Sequence, residues 1–387
     1  MKRALIYDAI RTARGKARPT GGLHKTKPIE LVAGLMHALA ERNSCDPTEV
    51  QDVVLGCVTQ TGEQGANIAK IAALYAGWGD RVPGVTVNRF CTSGLDAVVT
   101  AAMQIQTNTS PRVVAGGVES MSRVPMFSDA GAWFADEQVA EATRYIHMGL
   151  AADLLATRSG IGRDELDEWT ARSHARAAAA QEADAFGPSV VPVGGLVHDE
   201  LVRPHTTRES LAALPPAFAQ VPRPHWLTEH IDNRHTVASS PGMCDGASLL
   251  LMGEEHAFGD QPARAEVVAW ATVSVDPVVM LTGNVDASTL ALERAGLAVS
   301  DVEVWEVNES FAAVPIHFIG TMGVDPARVN PSGGALALGH PLGATGGVLM
   351  ATALDELDRR GGGYGVVTIC GGAGVATAVV LRRLARG

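Results

Sequence analysis

One α/β pattern occurs twice in this chain, set about 250 residues apart, and that duplication limits the possible folds more than any other feature. A helix-like stretch from Ile29 to Arg42 leads through CDPTEV into the apolar run Val53 to Val58. In the second half, a helix-like stretch from Ala287 to Ala295 leads through LAVSDV into Val302 to Val307. The order then continues. The run Val85 to Asn88 precedes Cys91 and the helical pattern GLDAVVTAAMQI, while Val329 to Gly334 precedes His340 and ATGGVLMATALDEL. Finally Arg112 to Glu119 matches Gly365 to Gly374. Short β-rich runs alternating with helical patterns specify α/β units with largely buried sheets. The expected fold class is therefore α/β, with two duplicated halves facing each other.

Residues 120–243 break the pattern. They are rich in Pro, His and charge, with one Ala-rich helix (Asp164 to Ala185) and a turn-laden tract from Pro215 to Pro241. An irregular insertion of this length is usually a lid or binding segment. The expected boundaries are 1–119 plus 244–264 for the N-terminal half, 120–243 for an inserted loop domain covering the site, and 265–387 for the C-terminal half.

Composition removes several functions. The net charge of −11 opposes general binding to a phosphate backbone, and 5% aromatic residues offer little for stacking nucleic acid. Five cysteines without a CxxC pair argue against a disulfide framework or zinc knuckle and for a reducing compartment. The first residues carry charge but no apolar core of a leader, and the weakly polar stretch Gly333 to Leu354 is too broken by Gly and Pro for a membrane span. A cytoplasmic protein without nucleic-acid or membrane partners is expected. His24, His37 and His256 lack metal-ligand spacing, and His225 and His230 lie in the irregular tract, so no metal site is expected. GxGxxG, GxSxG and P-loop motifs are absent. The 42 glycines exceed the usual ~7% and point to tight turns and close backbone approaches.

Four residues could carry chemistry, and each also has an ordinary structural explanation. Cys91 lies where a β-rich run gives way to a helix, and a helix N-terminus favours a thiolate over the usual thiol of pKa about 8.5. A buried structural Cys would fit there equally well. His340 lies in the Gly-dense turn GGALALGHPLGATGG, where a turn His without a role is the simpler reading. Asn308 ends an apolar run before a helix, as an N-cap would. Cys370 ends GVVTIC, as a small apolar residue could. Together they fall at strand ends or helix starts of matching units, the place where such folds bind ligands. Two thiols, an imidazole and an amide converging there suit acyl transfer.

With these residues in place the chain resembles the thiolase family over nearly its whole length. The motifs are VNRFCTSG around Cys91, GGVESMSRVP (Gly116 to Pro125), HMG (His147 to Gly149), DELVRPHTTRESLAALPPAF (Asp199 to Phe218), VNESFA (Val307 to Ala312), NPSGGALALGHPLGATG (Asn330 to Gly346) and the C-terminal CGGAG. The resemblance implies the thiolase fold, a layered αβαβα core with an inserted loop domain. It also implies coenzyme A thioesters as substrates, no metal or redox cofactor, and a homodimer or homotetramer.

Position by position, the resemblance makes Cys91 the nucleophile that takes the acyl group of a 3-ketoacyl-CoA. His340 becomes its base and a donor to the thioester oxygen, and Cys370 the acid/base at the acetyl-CoA carbon. Asn308 would hold a water in one oxyanion hole, and the backbone N–H groups of Cys91 and Gly372 would form the other. Arg203 and Ser210 fall where the family contacts the nucleotide end of CoA. Met148 and Met280 fall where it lines the acyl and pantetheine pocket, and His147, Phe218 and Phe311 belong to the same expected binding set.

The departures from the family pattern are Ala373 and Ala376 where Gly is usual, Pro241 at a Ser position, Ser310 in place of Ala, and a longer tract between Phe218 and Thr236. The altered loop and longer tract favour degradative thiolysis of longer or bulkier acyl-CoA over acetoacetyl-CoA formation. A decarboxylating condensing enzyme shares the nucleophile but not a second Cys, so Cys370 counts against it. A non-catalytic acyl-CoA-binding protein would not need all four reacting side chains.

Overall fold

The computed structural model describes residues 2–385. The N-terminal half runs β1 (Ala4–Thr12), β2 (Gly15–Lys16), α1 (Pro28–Asn43), β3 (Asp52–Gly56), α2 (Ile68–Tyr75), β4 (Val85–Val87), α3 (Ser93–Gln106) and β5 (Arg112–Ser120). The stretch that follows carries α4 (Ala132–Ala135), α5 (Glu137–Ala142), α6 (Met148–Arg158), α7 (Arg163–Glu182), β6 (Val190–Val191) and α8 (Arg208–Ala212) before the chain returns to the sheet as β7 (Cys244–Gly253). The C-terminal half runs β8 (Ala265–Ser274), α9 (Gly283–Ala295), β9 (Val302–Val307), α10 (Ala313–Met322), α11 (Ala335–Leu338), α12 (Leu342–Arg360), β10 (Tyr364–Cys370) and β11 (Val375–Arg383).

The strand order β4-β3-β5-β7-β1-β8-β11-β10-β9 displays the duplication. From β1 outward the neighbours are β7, β5 and β3; from β8 outward they are β11, β10 and β9, with the same parallel and antiparallel pairings. The two half-sheets are not separate, because β1 and β8 pair antiparallel and make them one. The sheet folds around α3 and α12, while α1 packs outside the first half and α9 outside the second. The result is the αβαβα layering. The counterpart of β4 in the second half shrinks to one bridge between Val329 and Trp305. Asn330 turns the chain there at φ 46 and Pro331 offers no N–H, so a strand cannot continue.

The two central helices cross almost backbone to backbone. A Cβ on Gly346 of α12 would overlap the backbone of Gly94 and Leu95 in α3, and one on Gly94 would overlap Gly343. Beside them, buried Glu119 at the end of β5 binds both halves. Its carboxylate accepts from the N–H groups of Val58 (3.0 Å), Thr59 (3.1 Å) and Gly343 (3.0 Å) and from Gln64 Nε2 (2.8 Å).

Two further buried acids anchor the segment between β5 and β7. Asp199 accepts from Arg11 at 2.9 and 3.0 Å and from Arg14 at 3.1 Å. Burial alone would raise its pKa, but the two guanidinium charges hold it well below the usual carboxylate range. Glu309, just after β9, accepts from Trp169 Nε1 (2.8 Å) and Ser173 Oγ (2.7 Å), both on α7. Gly346→Ala should therefore cost about 3 kcal/mol or more, because the clash is with backbone that has no free direction to move. Urea denaturation against the unsubstituted protein measures this directly.

Candidate active site

All four candidates sit at one end of the sheet. Cys91 follows β4 through a turn in which Asn88 Oδ1 accepts from Phe90 N (2.9 Å) and Ser93 Oγ from Arg89 N (2.8 Å). This turn holds Phe90 at φ 49, a left-handed conformation that a bulky residue rarely adopts. His340 comes two residues before α12, with its N–H on Gly242 O (3.1 Å). Asn308 lies just past β9 and Cys370 ends β10.

The side chains form a connected set. Cys370 Sγ donates to Ser310 Oγ at 3.4 Å, and Asn308 Nδ2 donates to the same hydroxyl at 2.8 Å. Asn308 Nδ2 lies 3.4 Å from His340 Nε2, and His340 Nδ1 is 2.7 Å from Thr345 Oγ1. With Nδ1–H donating to Thr345, the Nε2 lone pair is left to accept a proton. Cys91, His340, Ser310 and Gly372 line one cavity of about 250 Å³. Cys370 is fully buried and does not itself line the cavity, and a Cβ added to the next residue, Gly371, would stand 3.4 Å from Cys91 N.

The electrostatics depart from the sequence expectation. Burial first, and then negative charge on Cys370 and Glu119, push the Cys91 thiol up to about 12. The N–H groups of Cys91 and Gly372 favour the thiolate but do not offset desolvation. Burial likewise raises Cys370 to about 11, against the lowering effect of its bonds to Ser310 and Asn284. Burial and the Arg14 charge lower His340 to about 4. The resting site is a neutral thiol beside a neutral imidazole, not the thiolate expected at a helix start.

The expected substrate-binding residues divide. His147, Met148, Phe218 and Phe311 line the cavity, as does Pro241, which offers an apolar ring in place of a hydroxyl. Met280 does not; it is fully buried in the apolar cluster of the C-terminal half, folded in by a turn in which its N–H bonds Asp276 O at 2.9 Å. Arg203 and Ser210 are exposed and do not line the cavity. The Ser210 hydroxyl donates to Thr207 O at 2.7 Å and caps α8. Sequence reasoning passed over Glu119, Thr345, Asn284 and the bridging role of Ser310. The only trace of Ser310 was its departure from the usual Ala. Among the described residues no group of three or more His, Cys, Asp or Glu side chains is placed to hold a metal ion, and no helix is long and apolar enough to cross a membrane.

Family models match the chain in two blocks, "Thiolase, N-terminal domain" over residues 4–255 and "Thiolase, C-terminal domain" over residues 261–383. The 3-ketoacyl-CoA thiolase of Erwinia tasmaniensis is 40% identical, covering 99% of this chain and 100% of that protein. The 3-ketoacyl-CoA thiolase FadA of Escherichia coli K12 is 39% identical at the same coverage. The crystal structure of the Bacillus anthracis acetyl-CoA acetyltransferase superposes with a TM-score of 0.89 at 32% identity, covering 99% of both chains.

A neutral Cys91 has a measurable consequence. Its alkylation by iodoacetamide should accelerate about tenfold per pH unit up to pH 10, because the thiolate fraction rises that steeply below the pKa. A plateau reached by pH 8 would instead show a preformed thiolate.

Proposed function

The chain belongs to the thiolase family, and on that premise we propose that it cleaves 3-ketoacyl-CoA with CoA to acetyl-CoA and a shortened acyl-CoA, through an acyl-Cys91 intermediate. The observation that carries this reading is the convergence of Cys91, His340 and Gly372 on one cavity, with Cys370 tied through Ser310 and Asn308 to His340.

In this mechanism the Cys91 proton passes to His340 Nε2 as sulfur attacks the 3-keto carbon. Neither group need be charged beforehand, so the ionic pair forms only as the new bond does. The N–H groups of Cys91 and Gly372 take up the developing oxyanion, a type of contact worth about 3–4 kcal/mol per donor. The bond between C2 and C3 breaks, its electron pair forms the acetyl-CoA enolate, and Cys370 protonates C2. The enolate oxygen is met by His340 Nε2–H and by a water held on Asn308. In the second half-reaction the incoming CoA thiol gives its proton to the Cys370 thiolate and attacks the acyl carbon. The departing Cys91 sulfur recovers its proton from His340. The neutral forms of His340 and both thiols support this order, since each then starts and ends the cycle unchanged. Condensation to acetoacetyl-CoA is the same path reversed.

We also read the protein as a homo-oligomer. Among the described residues strand β4 pairs on one side only, with β3, and Val85 on it and Ile71, Leu74 and Tyr75 on α2 are exposed apolar side chains that a second copy would cover. Tyr75→Glu should then shift the mass measured by light scattering toward the monomer.

Incubation with acetyl-CoA should add one acetyl group, seen by mass spectrometry, that is lost in Cys91→Ala. Cys370→Ala should still acylate but turn over about 10²–10⁴-fold more slowly. Near wild-type turnover in that variant would remove Cys370 from the mechanism. Ser310→Ala removes one hydrogen bond to the Cys370 thiol, so kcat should fall roughly two- to tenfold with little change in KM.

A further inference from the structure

Aromatic residues are scarce in this chain, yet five of its eight Phe line the one cavity that holds Cys91 and His340, together with Trp133 and Tyr145. They form two walls. His147 packs on Phe218 (ring centroids 5.6 Å) and Phe218 on Phe311 (5.9 Å). The other wall is built differently. Phe90 packs on Trp133 (5.0 Å), and Trp133 meets Tyr145 edge to face (5.0 Å, 86° between planes). Farther along, Phe127 and Phe134 meet at 4.6 Å.

The second wall lines the same cavity as the reacting cysteine. Phe90 is its chain neighbour, and the Trp133 ring lies 3.0 Å from where a Cβ on Gly372 would be. An acyl group attached to Cys91 occupies a cavity that these rings line. We propose that the Phe90–Trp133–Tyr145 wall is the acyl subsite and that it selects 3-ketoacyl-CoA esters whose acyl group carries a ring, aromatic or alicyclic, near the keto carbon. This rests on the thiolase reading above and names its substrate class. A rigid ring meets rigid aromatic faces with little rotational freedom to lose, and gains from ring-to-ring geometry beyond area alone. A flexible straight chain gains only area and must be ordered bond by bond.

The test compares 3-oxo-5-phenylpentanoyl-CoA with straight-chain 3-oxoundecanoyl-CoA, of equal carbon number, and with acetoacetyl-CoA. The expected result is a kcat/KM for the phenyl ester on the order of tenfold above that for the straight chain. Tyr145→Ala and Trp133→Leu should each lower that ratio at least threefold. A wild-type ratio at or below one, with acetoacetyl-CoA still cleaved, overturns the ring preference and leaves the thiolase reading standing. Cleavage of none of the three overturns both.

Discussion

The backbones of α3 and α12 touch, and the placement of the reacting groups depends on that contact. Each helix begins just after one of them, α3 after Cys91 and α12 after His340. Gly94, Gly343 and Gly346 remove the side chains that would hold the helices a normal distance apart. Ordinary helix pairs keep their axes 8–10 Å apart. The Glu119 carboxylate then fixes the crossing by accepting N–H groups from both sides of it. The glycine excess in the composition has this crossing as one of its physical causes.

Burial decides the ionisation of the site. The attraction of a helix N-terminus for an anion reaches about 2 kcal/mol in favourable geometries. Complete burial of a titratable group moves its pKa by up to 3–5 units, a larger energy. At Cys91 desolvation therefore wins, and the thiol waits protonated beside an imidazole that burial keeps neutral. Such a site is chemically quiet until a substrate arrives whose developing negative charge the N–H groups of Cys91 and Gly372 can receive.

The fold was largely legible in the sequence because a repeat states its own topology: matched runs at one offset imply matched strand orders, as β3, β5, β7 and β9, β10, β11 turned out to be. The joining of the halves through β1 and β8 was not legible, since pairing between edges leaves no periodic signal. The four candidate side chains stood out because Cys, His and Asn at strand ends are conspicuous. What held them did not stand out. Glu119 and Glu309 look like surface acids in one dimension, and only their buried N–H and hydroxyl partners identify them as anchors. Met280, expected at the pocket, is a fully buried member of the apolar cluster that also holds Phe311, since a methionine beside a site and one in the core read alike. The charge state of Cys91 failed because local helix position is visible in a sequence and depth of burial is not.

The pairing of β1 with both β7 and β8 has a consequence for synthesis on the ribosome. Strand β1 emerges first, yet its two neighbours lie more than two hundred residues downstream. Until they appear, β1 has among the described residues just the two-residue β6 to pair with, and β5 lacks its β7 neighbour. Contacts of such long sequence separation close slowly and leave unpaired strand edges exposed meanwhile. The nascent chain thus carries unpaired strand edges for most of its translation.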